Sequence, residues 1–258
     1  MKQDNVRLKK KYGQHFLRDL NTVHHIVDAV TLGPDSSVME IGCGDGFLTE
    51  AILYKPLVRL WCFEIDAEWI QIVQQKIADS RLTIFHQDIL TTDLQQLAPH
   101  APWVLLANLP YNITFPILYL LQQNRHLFTE GVIMIQEEVA HKITKTSGKD
   151  YGYTSLFFQR YFTWRKLDKI PPSAFFPPPK VFSRLLYFKP KQDVIEIANE
   201  PAFWEFIKVC FKQPRRTLRN NLMHTNYPFE RLDEQTLQSR AQQFDITALL
   251  TIWNTIQK

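Results

Sequence analysis

The stretch from Ser37 to Leu53 constrains the fold more than any other. It reads Ser-Val-Met-Glu-Ile, then Gly42-Cys43-Gly44-Asp45-Gly46, then Phe-Leu-Thr-Glu-Ala-Ile-Leu. A short β-type run, three glycines at alternate positions and a helix-forming run predict strand, loop and helix. Glycine lets the backbone pass close to a ligand, and the helix N-terminus turns free N–H groups towards it. Such a unit belongs to an open, largely parallel α/β sheet, which binds ligands beyond the carboxyl ends of its strands. The loop spacing, E-x-G-x-G-x-G, departs from the G-x-G-x-x-G of a dinucleotide site. No Lys-Ser/Thr follows, which argues against a phosphate-cradling NTPase.

The next three strands each end on a polar residue suited to a ligand. Val58–Ile65 carries Glu64, 20 residues after Gly44, where a carboxylate can hold both hydroxyls of a ribose. Neighbouring Asp66 reads better as the cap of a helix starting near Ala67. Leu82–Phe85 runs into Asp88, which can accept a hydrogen bond from an adenine amino group or simply make a turn. The fourth strand, from Trp103, runs into Asn108-Leu109-Pro110-Tyr111. These residue types suit methylation of an exocyclic amino group on a planar base. That nitrogen is a poor nucleophile, because its lone pair is delocalised into the ring. The Asn108 side-chain oxygen and a backbone carbonyl near Pro110 can accept its two N–H bonds and favour the pyramidal form. Pro110 has no N–H to compete for those carbonyls, and Tyr111 offers a ring for the base to stack on.

The remaining pattern completes the sheet. Leu20–Val30 and Thr154–Phe162 read as helices, the second with Phe157, Phe158 and Tyr161 in the core. Gly131–Ile135 is a fifth strand, followed by a helix whose early Glu137 and Glu138 suit its dipole. Ser183–Phe188 is a final strand, expected antiparallel and on or near an edge. Beyond a linker at residues 189–192 no strand pattern appears. Helical spacing covers Phe203–Phe211, Leu237–Phe244 and Ala248–Ile256, and Pro214 is placed to begin a helix.

Seven motifs stand in order: KKYGQHFL (Lys10–Leu17), MEIGCGDGFLT (Met39–Thr49), FEID (Phe63–Asp66), HQDIL (His86–Leu90), NLPYNIT (Asn108–Thr114), PPSAFFPPPKV (Pro171–Val181) and QPRRTLRNNL (Gln213–Leu222). Glycine loop, acid, Asp and Asn-Leu-Pro-Tyr follow one another as in class I methyltransferases that use S-adenosyl-L-methionine. Along nearly its full length the chain resembles the KsgA family of ribosomal RNA adenine dimethyltransferases. The resemblance implies a Rossmann-like α/β domain with a seven-stranded mixed sheet (residues 1–189) and a small all-α domain (190–258). It implies S-adenosyl-L-methionine as cofactor, held by His15, Leu17, Gly42, Gly44, Glu64, Asp88 and Asn108. Asn108, Leu109, Pro110 and Tyr111 would act on the base, with Phe175 as the second face of an aromatic sandwich. No metal is implied. His15 stands where the family often has Asn, and it is expected to donate a hydrogen bond to the cofactor carboxylate. The implied substrate is a pair of adjacent adenosines in the hairpin near the 3′ end of small-subunit rRNA, within an assembling subunit.

Charge agrees with a polyanionic partner. Residues 1–18, 160–191 and 208–219 hold 19 of the 30 positive charges and 2 of the 26 negative ones. Segregation of that kind marks a nucleic-acid face, with Lys10, Lys11, Lys180, Lys212, Arg215, Arg216 and Arg219 as candidate RNA contacts. Three cysteines without metal spacing read as reduced thiols of a cytoplasmic protein. No apolar run is long enough for a membrane span and no secretory signal is expected; a monomer is expected. The alternatives are an Erm-type enzyme acting on large-subunit rRNA and a non-catalytic RNA-binding assembly factor. A DNA adenine methyltransferase is disfavoured, because the tetrapeptide lacks the acidic first residue common there.

Overall fold

Seven strands form one mixed sheet in a computed structural model that describes residues 2, 3, 6, 7, 9 and 13–257. Lys10 and Lys11 lie outside the described residues. The strands are β1 (Ser37–Ile41), β2 (Arg59–Glu64), β3 (Leu82–His86), β4 (Trp103–Asn108), β5 (Phe128–Gln136), β6 (Phe162–Ile170) and β7 (Ser183–Pro190). Their order across the sheet is β3-β2-β1-β4-β5-β7-β6. The first five are parallel, and β7 runs antiparallel to β5. The chain starts in the middle, moves out to β3, then returns to the other side of β1. That reversal opens a crevice beyond the carboxyl ends of β1 and β4, the position where doubly wound sheets bind ligands.

Helices α1 (Leu20–Asp28), α2 (Phe47–Leu53), α3 (Ala67–Lys76) and α4 (Thr114–Gln123) belong to this sheet's unit. α1 is capped by Asp19, whose side chain accepts from Asn21 N, and it buries Val23, Ile26 and Val27. The central strand β1 is buried at all five positions, as expected for a parallel strand covered on both faces. One glycine is fixed by packing: a Cβ on Gly131 of β5 would stand 2.5 Å from the Leu105 carbonyl oxygen and 2.6 Å from the Phe188 ring. A short antiparallel pair, Phe16–Leu17 with Phe175–Phe176, ties the start of the chain to the proline-rich loop.

The structure departs from the sequence reading in an extra strand and in the division of the chain. Helix α5 (Glu137–Thr144) follows β5, and helix α6 (Tyr153–Tyr161) ends directly in β6, an edge strand the sequence did not announce. β6 is exposed or half-exposed along most of its length and carries Arg165, Lys166, Asp168 and Lys169. Such charges are a common protection for a sheet edge and leave little strand signal. β7 therefore lies one strand in from the edge, near it as expected. The division of the chain also differs: one unit is Met1–Ala140 with Trp164–Pro190, the other His141–Thr163 with Lys191–Lys258. Residues 141–163 leave the expected first domain because α6 buries an aromatic face within the second unit. Its Phe157 ring lies 5.0 Å from that of Trp204, and Tyr153 lies 5.7 Å from the same ring.

The second unit contains α7 (Glu200–Cys210), α8 (Leu218–Leu222), α9 (Glu234–Gln238) and α10 (Ile246–Gln257), together with α6. Phe203, Phe206 and Trp253 are buried at its centre. No helix spans Leu237–Phe244: α9 stops at Gln238 and a single 3₁₀ turn follows at 241–243. Pro214 sits in a turn, and α8 starts later, capped by the Thr217 side chain. Among the described residues no helix is long and apolar enough to cross a membrane.

Candidate active site

A cavity of about 290 Å³ lies beyond the carboxyl ends of β1, β2, β3 and β4. His15, Leu17, Gly42, Gly44, Glu64 and Asp88 line it, and so do all four residues of Asn108–Tyr111. The glycine loop is part of its lining. Gly44 has a φ of +52°, and a Cβ there would stand 2.8 Å from the Phe16 ring, so the loop can close only over glycine.

The acids around the cavity are held in different ways. Glu64 is 7% exposed. One of its oxygens accepts from Ile65 N (2.8 Å) and Asp66 N (2.9 Å), and the other from Gly44 N (3.1 Å). Burial raises its pKa, and these backbone donors work against that rise. Asp66 behaves as the cap the sequence predicts: it accepts from Glu68 N at the start of α3 and takes Lys9 Nζ at 2.6 Å. Lys9 is thereby drawn into structural ion pairs with Asp66 and Glu68. The Asp88 carboxylate accepts from Leu90 N at 2.9 Å, so it makes its own turn while facing the cavity. Glu40, the acid of E-x-G-x-G-x-G, was given no role by the sequence. It lines the cavity 1% exposed, accepts from Thr49 Oγ1 (2.7 Å) and Cys62 Sγ (3.1 Å), and burial raises its pKa to about 7.

The Asn108–Tyr111 loop presents acceptors. Asn108 Nδ2 donates to the His15 carbonyl at 3.0 Å. That bond fixes the amide and leaves Oδ1 without a donor among the described residues. Leu109 N is tied to the Met134 carbonyl at 3.1 Å, while the Pro110 carbonyl accepts from Ile113 N (3.2 Å) and Thr114 Oγ1 (3.3 Å). Among the described residues the backbone acceptor left open is the Leu109 carbonyl, not that of Pro110. The Tyr111 hydroxyl is anchored on Ser183 Oγ at 2.6 Å, and its ring stacks on His15 with centroids 5.7 Å apart. His15 Nδ1 donates to the Pro177 carbonyl at 2.7 Å. In the neutral ring Nε2 is therefore an acceptor, and only the imidazolium can donate from that side to a carboxylate.

The model of one family, described as ribosomal RNA adenine dimethylase, matches residues 5–258. The chain belongs to that family. This dimethylase is 38% identical over 237 residues to the ribosomal RNA small subunit methyltransferase A of Syntrophotalea carbinolica, which covers 91% of this chain and 89% of that one. It is 34% identical over 258 residues to the protein of the same description from Chlorobium phaeobacteroides, covering 99% and 94%. Two solved structures share its fold. A dimethyladenosine transferase from Plasmodium falciparum gives a TM-score of 0.78 at 24% identity, covering 94% of this chain and 98% of that one. The 23S rRNA methyltransferase ErmE gives 0.73 at 22% identity, covering 94% and 100%.

Some expected site residues of the dimethylase lie elsewhere. Phe175 is not in the cavity. It pairs with Leu17 in the short strand pair, is 4% exposed and packs into the hydrophobic core. Its neighbour Phe176, one step along the strand and on the opposite face, is 38% exposed. Lys180 is exposed on the same loop, outside the cavity lining. Lys212, Arg215 and Arg216 are exposed in the second unit, whereas Arg219 is half-buried and bound to Glu234 at 2.5 Å. Ser183, which anchors Tyr111, carried no sequence signal, because a serine at a strand start is unremarkable.

Proposed function

We propose that the protein dimethylates N6 of two adjacent adenosines in the 3′-terminal hairpin of small-subunit rRNA. It acts as a cytoplasmic monomer on an assembling ribosomal subunit. The observation that carries this reading is the pair of open acceptors, Asn108 Oδ1 and the Leu109 carbonyl, beside the anchored ring of Tyr111.

The cavity fits S-adenosyl-L-methionine as methyl donor. Two carboxylates line it, Glu64 for the ribose hydroxyls and Asp88 for the adenine amino group, and Gly42 and Gly44 leave the loop without side-chain bulk. His15, Leu17 and Asn108 would complete the hold. The cofactor supplies an electrophilic methyl group when bound.

The protein's own part is alignment. Tyr111 stacks on an adenine turned out of its helix, offsetting an unstacking cost of a few kcal/mol. Asn108 Oδ1 and the Leu109 carbonyl accept the two N–H bonds of the amine, which frees the nitrogen lone pair from the ring plane. No strong base is required, because the proton is lost only after the nitrogen has become cationic. After one methylation a single N–H remains to be accepted, so the loop must also tolerate a methyl group. The reading favours small-subunit over large-subunit rRNA because the relatives aligned over most of the chain carry the small-subunit description.

Replacing Asn108 tests this assignment. Asn108→Ala is expected to abolish methyl transfer while cofactor and subunit binding fall by no more than a few-fold. Dimethylation at the wild-type rate would remove the loop from the chemistry.

A further inference from the structure

Phe182, beside the site but outside its cavity, is 44% exposed, and so is its neighbour Val181. Lys169 Nζ stands 4.3 Å from the centroid of the Phe182 ring. The backbone at this point is held firmly: the Phe182 carbonyl accepts from Glu137 N at 3.0 Å. The next residue, Ser183, is the anchor of the Tyr111 hydroxyl. Successive Cα atoms are about 3.8 Å apart, so the Phe182 backbone lies within one nucleotide's reach of the Tyr111 anchor.

The charges around the ring favour an anionic occupant. Glu137 is neutralised by Arg184, which grips both of its oxygens at 2.5 and 2.7 Å. Asp168 is bound by His25. Lys166, Lys169 and Lys180 are exposed and make no ion pair among the described residues. An exposed aromatic ring with an ammonium over one face and no free acid suits a nucleobase on its other face and the phosphate on the lysine.

We propose that Phe182 and Lys169 form a stacking platform for the base immediately next to the adenosine held at Tyr111. On the proposed function, from which this inference follows, that base is the other adenosine of the pair. The platform parks one adenosine while its neighbour is methylated, and the two exchange places between rounds.

Immature small subunits can be reconstituted with rRNA in which one adenosine of the pair is abasic. Binding of the intact and abasic subunits is then compared for the wild-type protein, Phe182→Ala and Phe182→Trp. Phe182→Ala is expected to weaken binding to intact subunits about tenfold. The abasic residue should weaken wild-type binding to a similar degree, and the two changes together should cost no more than one. Phe182→Trp, which keeps a stacking face, should restore binding, and cofactor affinity should be the same in all three proteins. Equal loss on intact and abasic subunits would assign the ring to a ribosomal-protein contact and overturn the platform; so would no loss at all. A wild-type protein that neither binds nor methylates small subunits would instead refute the proposed function, and this inference with it.

Discussion

At the scale of single residues, the site is built by giving its polar groups fixed partners and leaving a chosen few open. Asn108 is the clearest case: its nitrogen is spent on His15, and its oxygen is thereby aimed. Glu40 shows what the arrangement costs. Its carboxyl sits in the core with Thr49 and Cys62 as donors, and burial raises its pKa from the ordinary 4.5 to about 7. Between those values the folded protein keeps a proton that the unfolded chain has lost, so stability falls as pH rises through the window. A shift of that size corresponds to about 3 kcal/mol. Glu40→Gln carries no charge at any pH, and its stability should fall less than the wild type's across this range, because the raised carboxyls of Glu64 and Asp45 remain. Urea unfolding of both proteins at about pH 5 and pH 8 checks this. If the variant loses as much stability between the two as the wild type, Glu40 is not the group responsible.

At the scale of elements, legibility followed from whether local sequence and tertiary setting agreed. The β1–glycine loop–α2 unit was readable because its glycines, apolar strand and helix all serve one geometry. Helix α2 starts and ends where the sequence placed it. β6 was not readable, since an edge strand rich in lysine and arginine looks like a solvated loop. Phe175 was misplaced for a different reason: adjacent Phe175 and Phe176 are chemically equal, and only pairing with Leu17 decides which ring turns inward. Gly131 belongs to the same scale. It is the point in β5 where β4 and β7 close in from both sides, with a backbone oxygen on one and an aromatic ring on the other. The carbonyl cannot swing aside as a side chain end would. Gly131→Ala should therefore cost about 1–3 kcal/mol of stability through overpacking. A denaturation midpoint equal to that of the wild type would show that the sheet relaxes around the methyl group.

At the scale of the whole molecule, function rests on holding a large polyanion while reading a single base. Phosphate contacts set affinity and its salt dependence, and the pocket sets which atom reacts. Arg215 and Arg216 are exposed, whereas Arg219 is occupied by Glu234. Arg215→Gln with Arg216→Gln should lower the log–log salt slope of binding to immature subunits by roughly 2. Adding Arg219→Gln should change it less than either of the others. An unaltered slope in the double variant would mean that this turn faces solvent and that RNA is held elsewhere. The account as a whole is tested most directly by mapping the product. Immature small subunits and large-subunit rRNA, each incubated with the protein and S-adenosyl-L-methionine, can be read by primer extension and mass spectrometry of the modified fragments. The expected result is two adjacent dimethyladenosines in the 3′-terminal hairpin of the small-subunit rRNA and none in the large-subunit rRNA. Methylation of the large-subunit rRNA alone, or of neither, would contradict it.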